Sequence, residues 1–134
     1  MIACYWPTDS PQDDMARILI VDDEESARLA HGTVLQHAGH EVFFAGTGEA
    51  AMKAFLRMEV DLVITDLRMP SGDGLELIGA LNGFGPEVPI IAISGTGPEQ
   101  LGTAKLIGAC ATLAKPVDPQ DLIDAVEKAV GAAE

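Results

Sequence analysis

Five short runs of apolar residues alternate with amphipathic segments from residue 17 onward. The runs occupy residues 18–21, 42–44, 62–64, 90–93 and 111–114. Each run contains β-branched or aromatic residues, which is typical of β-strands. The first, third and fourth runs are apolar throughout and predict strands that are covered on both faces. The second and fifth runs are weaker and predict strands at the edges of a sheet.

The segments between these runs carry apolar residues at helical spacing. In the second segment, Ala51, Ala54, Phe55 and Met58 fall at positions i, i+3, i+4 and i+7. The same spacing predicts three more helices, around Ala27, Ala30, Val34, Leu35 and Ala38, around Leu77, Ile78 and Leu81, and around Leu122, Ala125, Val126, Ala129 and Val130. Gly39 is predicted to follow the end of the first helix. A fifth helix, at about residues 98–108, is poorly patterned and contains Gly102.

Five strands that alternate with five helices predict an α/β sandwich with a parallel sheet. A chain of 134 residues is long enough for one such domain, which we place at residues 16–134. Residues 1–15 have no periodic pattern and are predicted to form a flexible N-terminal extension. Nothing follows the last predicted helix, so we expect no output domain on this chain.

Composition narrows the classes of function. A net charge of −13 argues against direct binding to nucleic acid, which requires a basic surface. The same charge fits a cation site or a basic partner, and it fits equally a role in solubility. We expect no membrane insertion or secretion, because no long apolar run and no signal pattern occurs. Two cysteines are too few for a disulfide scaffold, so we expect a protein of the reducing cytoplasm. Cys110 lies among small apolar residues and is predicted to be buried.

Polar residues stand at the ends of four of the predicted strands. Asp22 and Asp23 follow the first strand, Asp66 follows the third, Ser94 ends the fourth and Lys115 follows the fifth. The carboxyl ends of parallel strands lie on one edge of a sheet, so these residues are expected to converge. Three carboxylates suit Mg²⁺, and a carboxylate can accept a phosphoryl group as a nucleophile. The lysine and the serine would supply the cation and the hydroxyl that phosphoryl transfer requires.

Some of these residues also have structural interpretations. Asp22 and Asp23, with the two glutamates after them, are typical of the N-terminus of a helix. Asp73 is predicted to cap the third helix, and Gly74 is assigned to the loop before it. Residues 94–97 are rich in glycine but lack the Lys-Ser/Thr ending of a P-loop.

Four segments of the chain resemble the receiver domain of two-component response regulators. They are ILIVDDE at residues 18–24, DLRMPSGDG at 66–74, ISG at 93–95 and KP at 115–116. The segments occur in the order of that family and with similar spacing, and the resemblance covers roughly residues 16–131. It implies a flavodoxin-like (βα)5 three-layer sandwich with strand order 2-1-3-4-5, and a stand-alone receiver similar to those of chemotaxis.

The resemblance implies roles for the acidic residues. Asp66 would be the phosphoacceptor. Asp22 and Asp23 would hold Mg²⁺ or another divalent cation together with Asp66, and Asp23 would be the more direct ligand of the two. The backbone carbonyl of Arg68 would complete the metal ligands that the protein supplies.

The resemblance also implies residues that respond to phosphorylation. Ser94 would move toward the phosphoryl oxygens with its loop. Lys115 would pair with the phosphoryl group, and the Lys115–Pro116 bond is often cis in the family. The position three residues before this lysine is commonly aromatic in the family and is Thr112 here, which puts the usual readout in question. Gly95 stands where alanine is frequent, which predicts a more open site.

Three kinds of function compete. A receiver would take a phosphoryl group from a histidine kinase or a histidine phosphotransfer protein. It would then bind a downstream protein or a second copy of itself, through its fourth helix, fifth strand and fifth helix. A protein-binding module that works without phosphorylation is the alternative, and Thr112 favours it. We expect no enzyme beyond self-catalysed phosphorylation and dephosphorylation. An aspartyl phosphatase would require an aspartate at position 68, and aromatic residues are only 4% of the chain, too few for a flavin carrier.

Overall fold

The computed structural model describes residues 15–68, 74–84, 88–95 and 98–133. The strands in these residues are β1 (Arg17–Val21), β2 (Glu41–Ala45), β3 (Leu62–Asp66), β4 (Ile90–Ser94) and β5 (Ala111–Ala114). The helices are α1 (Glu25–His37), α2 (Gly48–Arg57), α3 (Gly74–Phe84), α4 (Pro98–Ile107) and α5 (Pro119–Ala133). The predicted alternation is confirmed, and each strand contains the apolar run that predicted it.

The strands of the described residues form one parallel sheet in the order β2-β1-β3-β4-β5. This confirms the flavodoxin-like fold and the strand order that the resemblance implied. β3 and β4 are buried along their whole length and β1 from its second residue, whereas β2 and β5 are only partly buried. The strands that are apolar throughout are therefore the central ones, because helices cover both of their faces.

Side chains from the two faces of the sheet enter two separate cores, since successive residues of a strand point to opposite faces. One core joins the sheet to α2, α3 and α4 and includes Leu19, Val63, Ala92, Ala51, Leu77, Ile78 and Ala104. The other joins the sheet to α1 and α5 and includes Ile18, Ile64, Ile91, Leu35, Leu122 and Val126. These cores fix the strand ends relative to one another, and with them the residues that follow the strands.

The buried face of α1 differs in part from the predicted stripe. Leu35 is buried as expected, but Ala30 is exposed and Gly32 is buried. A Cβ at Gly32 would lie 2.6 Å from Cζ of Phe44, so the phenyl ring of Phe44 on β2 packs directly against the backbone of α1. A hydrophobic pattern does not register this contact, because glycine has no side chain. Gly39 follows the end of α1 with a φ of 99°, as predicted.

The prediction that Cys110 is buried is wrong, because its side chain is exposed. The residue lies in the turn before β5, and its amide donates a hydrogen bond of 2.8 Å to the carbonyl of Ile90. Its backbone is therefore engaged in the fold while the thiol faces outward. Small apolar neighbours in a sequence do not indicate burial when they form a turn at the edge of the sheet.

The predicted N-terminal extension lies outside the described residues except for its last residue, so this division of the chain stays a prediction. Among the described helices, none combines the length and the apolar character needed to cross a bilayer.

Candidate functional site

Four strands bring the predicted site residues to one edge of the sheet. Asp22 follows β1, Asp66 ends β3 and Ser94 ends β4, and all three side chains are buried. Lys115 follows β5 and is partly buried. The register pairs Ser94 with Ala114, so β4 and β5 end at the same level. Residues that are far apart in sequence therefore meet because the strands are parallel.

Three carboxylates form a group that fits a divalent cation. Asp22, Asp23 and Asp66 each offer an oxygen, and these oxygens lie within 4.8 Å of one another. Asp22 and Asp66 are buried and Asp23 is exposed, so the group opens to solvent on one side. Mg²⁺ prefers carboxylate oxygens and keeps several waters, which a half-open site allows. The donor set therefore suits the expected Mg²⁺.

Lys115 places a positive charge beside this group. Its Nζ lies 3.0 Å from Oδ2 of Asp66 and 3.5 Å from Oδ2 of Asp22. Burial alone would lower the pKa of Lys115, but the hydrogen bond to Asp66 and the two carboxylate charges outweigh burial and raise the pKa. The amide of Lys115 donates to the carbonyl of Ser94 at 2.9 Å, and the Lys115–Pro116 bond is cis, as the resemblance implied. The lysine is therefore held charged beside Asp66.

Backbone contacts fix the position of Asp66. Its Oδ1 accepts a hydrogen bond of 3.1 Å from the amide of Arg68, while the other oxygen faces the lysine. The hydroxyl of Thr65 donates to the carbonyl of Asp66 at 3.0 Å. The amide of Leu67 donates to the carbonyl of Ile93 at 2.9 Å, which ties the end of β3 to β4. Arg68 thus lies beside the carboxylate, and its role as a metal ligand stays a prediction.

Asp22 is held by three hydrogen bonds of different kinds. Its amide donates to the carbonyl of Ala45 at 3.1 Å. Its Oδ1 accepts from the amide of Glu24 at 3.0 Å, and its carbonyl accepts from Nη1 of Arg28 at 2.6 Å. Glu24 is the N-cap of α1 and makes no capping bond with its own side chain. The side chain of Asp22 therefore bonds to the N-cap residue of α1 and also belongs to the carboxylate group of the site.

Ser94 is at the site, whereas Thr112 lies away from the strand ends. Ser94 is buried at the end of β4, and Thr112 is the second residue of β5, half-buried and paired with Ala92. A Cβ at Gly95 would lie 3.7 Å from Cβ and Cδ of Lys115, an ordinary contact distance. The glycine therefore leaves room for a methyl group beside the lysine.

Two residues that position the site carry little signal in the sequence. Gly74, assigned to a loop, is the first residue of α3. A Cβ there would overlap the carbonyl oxygen of Asp66 and lie 2.6 Å from Cα of Leu67. A glycine at a helix start is the only hint of this approach. Arg28 has no signal at all, because it resembles any solvated arginine on a helix. Asp73, the predicted cap of α3, lies outside the described residues.

A half-buried histidine on α1 lies within electrostatic range of the site. Burial lowers the pKa of His31, the charge of Lys115 lowers it further, and the charge of Asp66 partly opposes both effects. The imidazole is therefore neutral at pH 7 and adds no charge to the site.

Burial raises the pKa of Asp22 above its ordinary value. The charges of Asp66 and Asp23 raise the pKa further. The hydrogen bond from the amide of Glu24 and the charge of Lys115 oppose the rise without cancelling it. Because the folded-state pKa lies above the ordinary value, the folding stability linked to this group is present at low pH. It is lost as the pH rises through the folded-state pKa.

We therefore expect an Asp22→Asn variant of the metal-free protein to be more stable than wild type at pH 7. The gain in the free energy of unfolding should shrink as the pH falls below the folded-state pKa of the carboxylate, where Asp22 is uncharged in wild type. Denaturant titrations at several pH values measure both effects. Mg²⁺ should stabilise wild type more than the variant. A variant that is less stable than wild type at pH 7 would contradict the cost of burying the charge of Asp22.

Comparisons with known proteins agree with this fold. The sequence profile described as response regulator receiver domain matches residues 18–127. The chain is 30% identical over 113 residues to sporulation initiation phosphotransferase F of Bacillus subtilis (strain 168), which covers 84% of this chain and 91% of that protein. It is 32% identical over 117 residues to transcriptional regulatory protein GlrR of Escherichia coli (strain K12), which covers 86% of this chain but only 26% of that protein.

A solved structure has the same architecture. The chemotaxis response regulator CheY4 of Vibrio cholerae matches with a TM-score of 0.79 and 32% sequence identity. The match covers 86% of this chain and 98% of that one. The two structures therefore share their fold over most of this chain and nearly all of the other.

Proposed function

Because the chain belongs to the response regulator receiver domain family, we propose that it accepts a phosphoryl group on Asp66 and then changes shape to control a partner protein. Receiver domains are signalling modules of two-component systems. The family implies a histidine kinase or a histidine phosphotransfer protein as the donor. We place this exchange in the cytoplasm.

Asp66 is the nucleophile in this proposal. One of its carboxylate oxygens attacks the phosphorus of a phosphohistidine, and the P–N bond breaks as the new P–O bond forms. The products are an acyl phosphate on Asp66 and a free histidine on the donor. The 3.0 Å contact with Lys115 and the 3.1 Å hydrogen bond from the amide of Arg68 support this role, because they fix the direction of the carboxylate.

The neighbouring residues would stabilise the charge that develops during transfer. Asp22, Asp23 and the carbonyl of Arg68 would hold Mg²⁺ together with Asp66, and the cation when bound neutralises charge on the phosphoryl oxygens. Lys115 would move its ammonium group from the carboxylate to the phosphoryl oxygens, a short shift from its present position. This division of roles follows from the charge and the reach of each side chain.

Control of a partner would begin at Ser94. Its hydroxyl would donate to a phosphoryl oxygen and draw the end of β4 toward the site, and β4 leads into α4. The face of α4, β5 and α5 would then bind a downstream protein or a second copy of the chain. Leu106 of α4 is 88% exposed on the described surface, which suits such contact. With Thr112 in place of an aromatic residue, movement of the loop and α4 would carry the signal.

One observation carries the proposal, namely three carboxylate oxygens within 4.8 Å of one another beside a lysine that lies 3.0 Å from Asp66. An ion pair needs only one carboxylate, and two further acids raise the electrostatic cost of the folded state. Such an arrangement is expected where a cation and a phosphoryl group are to be bound.

Treatment of the purified protein with a small acyl-phosphate donor and Mg²⁺ tests the proposal. Wild type should gain one phosphoryl group, seen by intact-mass spectrometry, and this group should be labile because acyl phosphates hydrolyse in water. A parallel sample with excess EDTA should gain none. If wild type is not labelled with Mg²⁺, and if beryllofluoride leaves its amide NMR spectrum unchanged, the proposal is wrong.

A phosphorylation-independent binding module is the second candidate, and Thr112 is the observation that favours it. Without the aromatic residue that is common at this position, one part of the usual response to phosphorylation is missing. This candidate predicts that a partner binds the Asp66→Asn variant as tightly as the phosphorylated wild type.

A further inference from the structure

We propose that Arg28 is a positioning residue for the cation site, an inference that rests on the proposed function. Arg28 is on α1, and among the residues that the structure describes its side chain bonds to the carbonyl oxygen of Asp22 and forms no ion pair with a carboxylate of the site. Its effect would be exerted through the main chain of Asp22, which leads directly into Asp23. Both of these residues are proposed to hold Mg²⁺.

The contact between Arg28 and Asp22 is short and partly shielded from solvent. Nη1 of Arg28 donates a hydrogen bond of 2.6 Å to the carbonyl of Asp22, and the arginine side chain is half-buried. On the other side of the same residue, the amide of Asp22 donates to the carbonyl of Ala45 at 3.1 Å. The backbone of Asp22 is therefore held between α1 and the end of β2, which limits where its carboxylate can point.

A second contact places the guanidinium group under the loop between β2 and α2. A Cβ added at Gly46 would lie 3.2 Å from Nη1 and 3.9 Å from Cζ of Arg28, a tighter approach than most side chains make. The absence of a side chain at Gly46 therefore leaves the space that the guanidinium group occupies. The arginine connects three elements, α1, the β1–α1 loop and the β2–α2 loop, at the point where the acidic pair begins.

Two possible effects of Arg28 on cation binding have opposite signs. If the arginine acted only through its positive charge, its removal would strengthen the binding of Mg²⁺, because a cation near the site would be lost. If it acts by holding the backbone of Asp22, its removal should weaken binding, since the carboxylates would no longer be preorganised. Mutation of a residue that orients metal ligands commonly lowers the affinity for the metal by about 10- to 100-fold. The sign of the change therefore identifies the role.

Mg²⁺ titrations of the full chain, followed by amide NMR shifts, test this inference. The variants are Arg28→Met, which removes the donor, and Arg28→Lys, which keeps a charge and one donor group. We expect about tenfold weaker binding for Arg28→Met and partial rescue by Arg28→Lys. Arg57→Met is the matched control, because Arg57 is exposed in the last turn of α2, at the end of this helix that is farther along the chain from Gly46. It should bind Mg²⁺ as wild type does.

A second pair of variants keeps the arginine and disturbs its surroundings. Gly46→Val should displace the guanidinium group and weaken Mg²⁺ binding, whereas Gly48→Val should not, because nothing lies within 4 Å of a Cβ at Gly48. The thermal midpoint of each metal-free variant, measured in EDTA, separates loss of affinity from loss of folding.

The outcomes separate this inference from the proposed function. If wild type binds no Mg²⁺, the proposed function fails and the inference fails with it. If wild type binds Mg²⁺, and folded Arg28→Met binds it as tightly or more tightly, the inference alone is overturned. Weaker binding by Arg28→Met and Gly46→Val, with both controls unchanged, supports it.

Discussion

An Asp66→Asn variant is expected to gain no phosphoryl group under conditions that label wild type fully. The carboxamide that replaces the carboxylate is a very poor nucleophile toward phosphorus, and the change also removes one oxygen ligand of the cation. The local geometry should survive, because the amide oxygen can still accept the hydrogen bond from the amide of Arg68. Lys115 keeps Asp22 as a partner at 3.5 Å. Intact-mass spectrometry after treatment with the acyl-phosphate donor measures the loss.

Two controls separate this loss from a general effect. Asp61→Asn makes the same chemical change just before β3, at the opposite end of that strand, where Asp61 is exposed and bonds to the amide of Arg17. This variant should be labelled as wild type is. Asp66→Asn should still fold, because Lys115 keeps Asp22 as a partner at 3.5 Å when its ion pair with Asp66 is lost. Labelling of Asp66→Asn at the wild-type level would mean that another residue accepts the phosphoryl group.

A Gly74→Ala variant is expected to be destabilised by about 1–3 kcal/mol and to lose most of its phosphorylation rate. The added methyl group would overlap the carbonyl oxygen of Asp66 and lie 2.6 Å from Cα of Leu67. Both are backbone atoms, so the strain is relieved only if α3 and the end of β3 move apart. That movement shifts the carboxylate of Asp66 away from Lys115. Denaturant titration and the initial rate of labelling measure the two effects.

Gly79→Ala is the matched control, because Gly79 is exposed on the same helix and a Cβ there meets nothing within 4 Å. Alanine has the higher helix propensity, so this variant should be as stable as wild type or up to about 1 kcal/mol more stable. Its labelling should be unchanged. Wild-type stability and labelling in Gly74→Ala would show that the close approach of α3 is not needed for the site.

The fold could be predicted from the sequence because two simple patterns agree along most of the chain. The apolar runs of the central strands are long enough to mark burial on both faces, and helical spacing is clear in α2, α3 and α5. For α4 the pattern is poor, yet the alternation of elements still required a helix there. The convergence of Asp22, Asp66 and Lys115 was also predictable, since it follows from parallel topology and needs no knowledge of side-chain contacts.

Other features could not be predicted, because they depend on contacts between distant backbones. Gly32 and Gly74 are buried where another element approaches, and a glycine offers no hydrophobic signal for such an approach. Ala30 and Cys110 are small residues that a pattern assigns to the interior, but their side chains are exposed. Arg28 became visible only through its hydrogen bond to a carbonyl oxygen. None of these residues is a proposed nucleophile or metal ligand, so the chemistry of the site gave no reason to single them out in the sequence.

Localisation of the phosphoryl group on the chain shows directly whether Asp66 is the phosphoacceptor. Borohydride reduces an aspartyl phosphate to homoserine, so wild type should be labelled with the acyl-phosphate donor and Mg²⁺, reduced, digested and examined by peptide mass spectrometry. Homoserine is expected in place of Asp66 and at no other aspartate. Homoserine in place of Asp22 or Asp23, or a modification elsewhere with Asp66 intact, would contradict it.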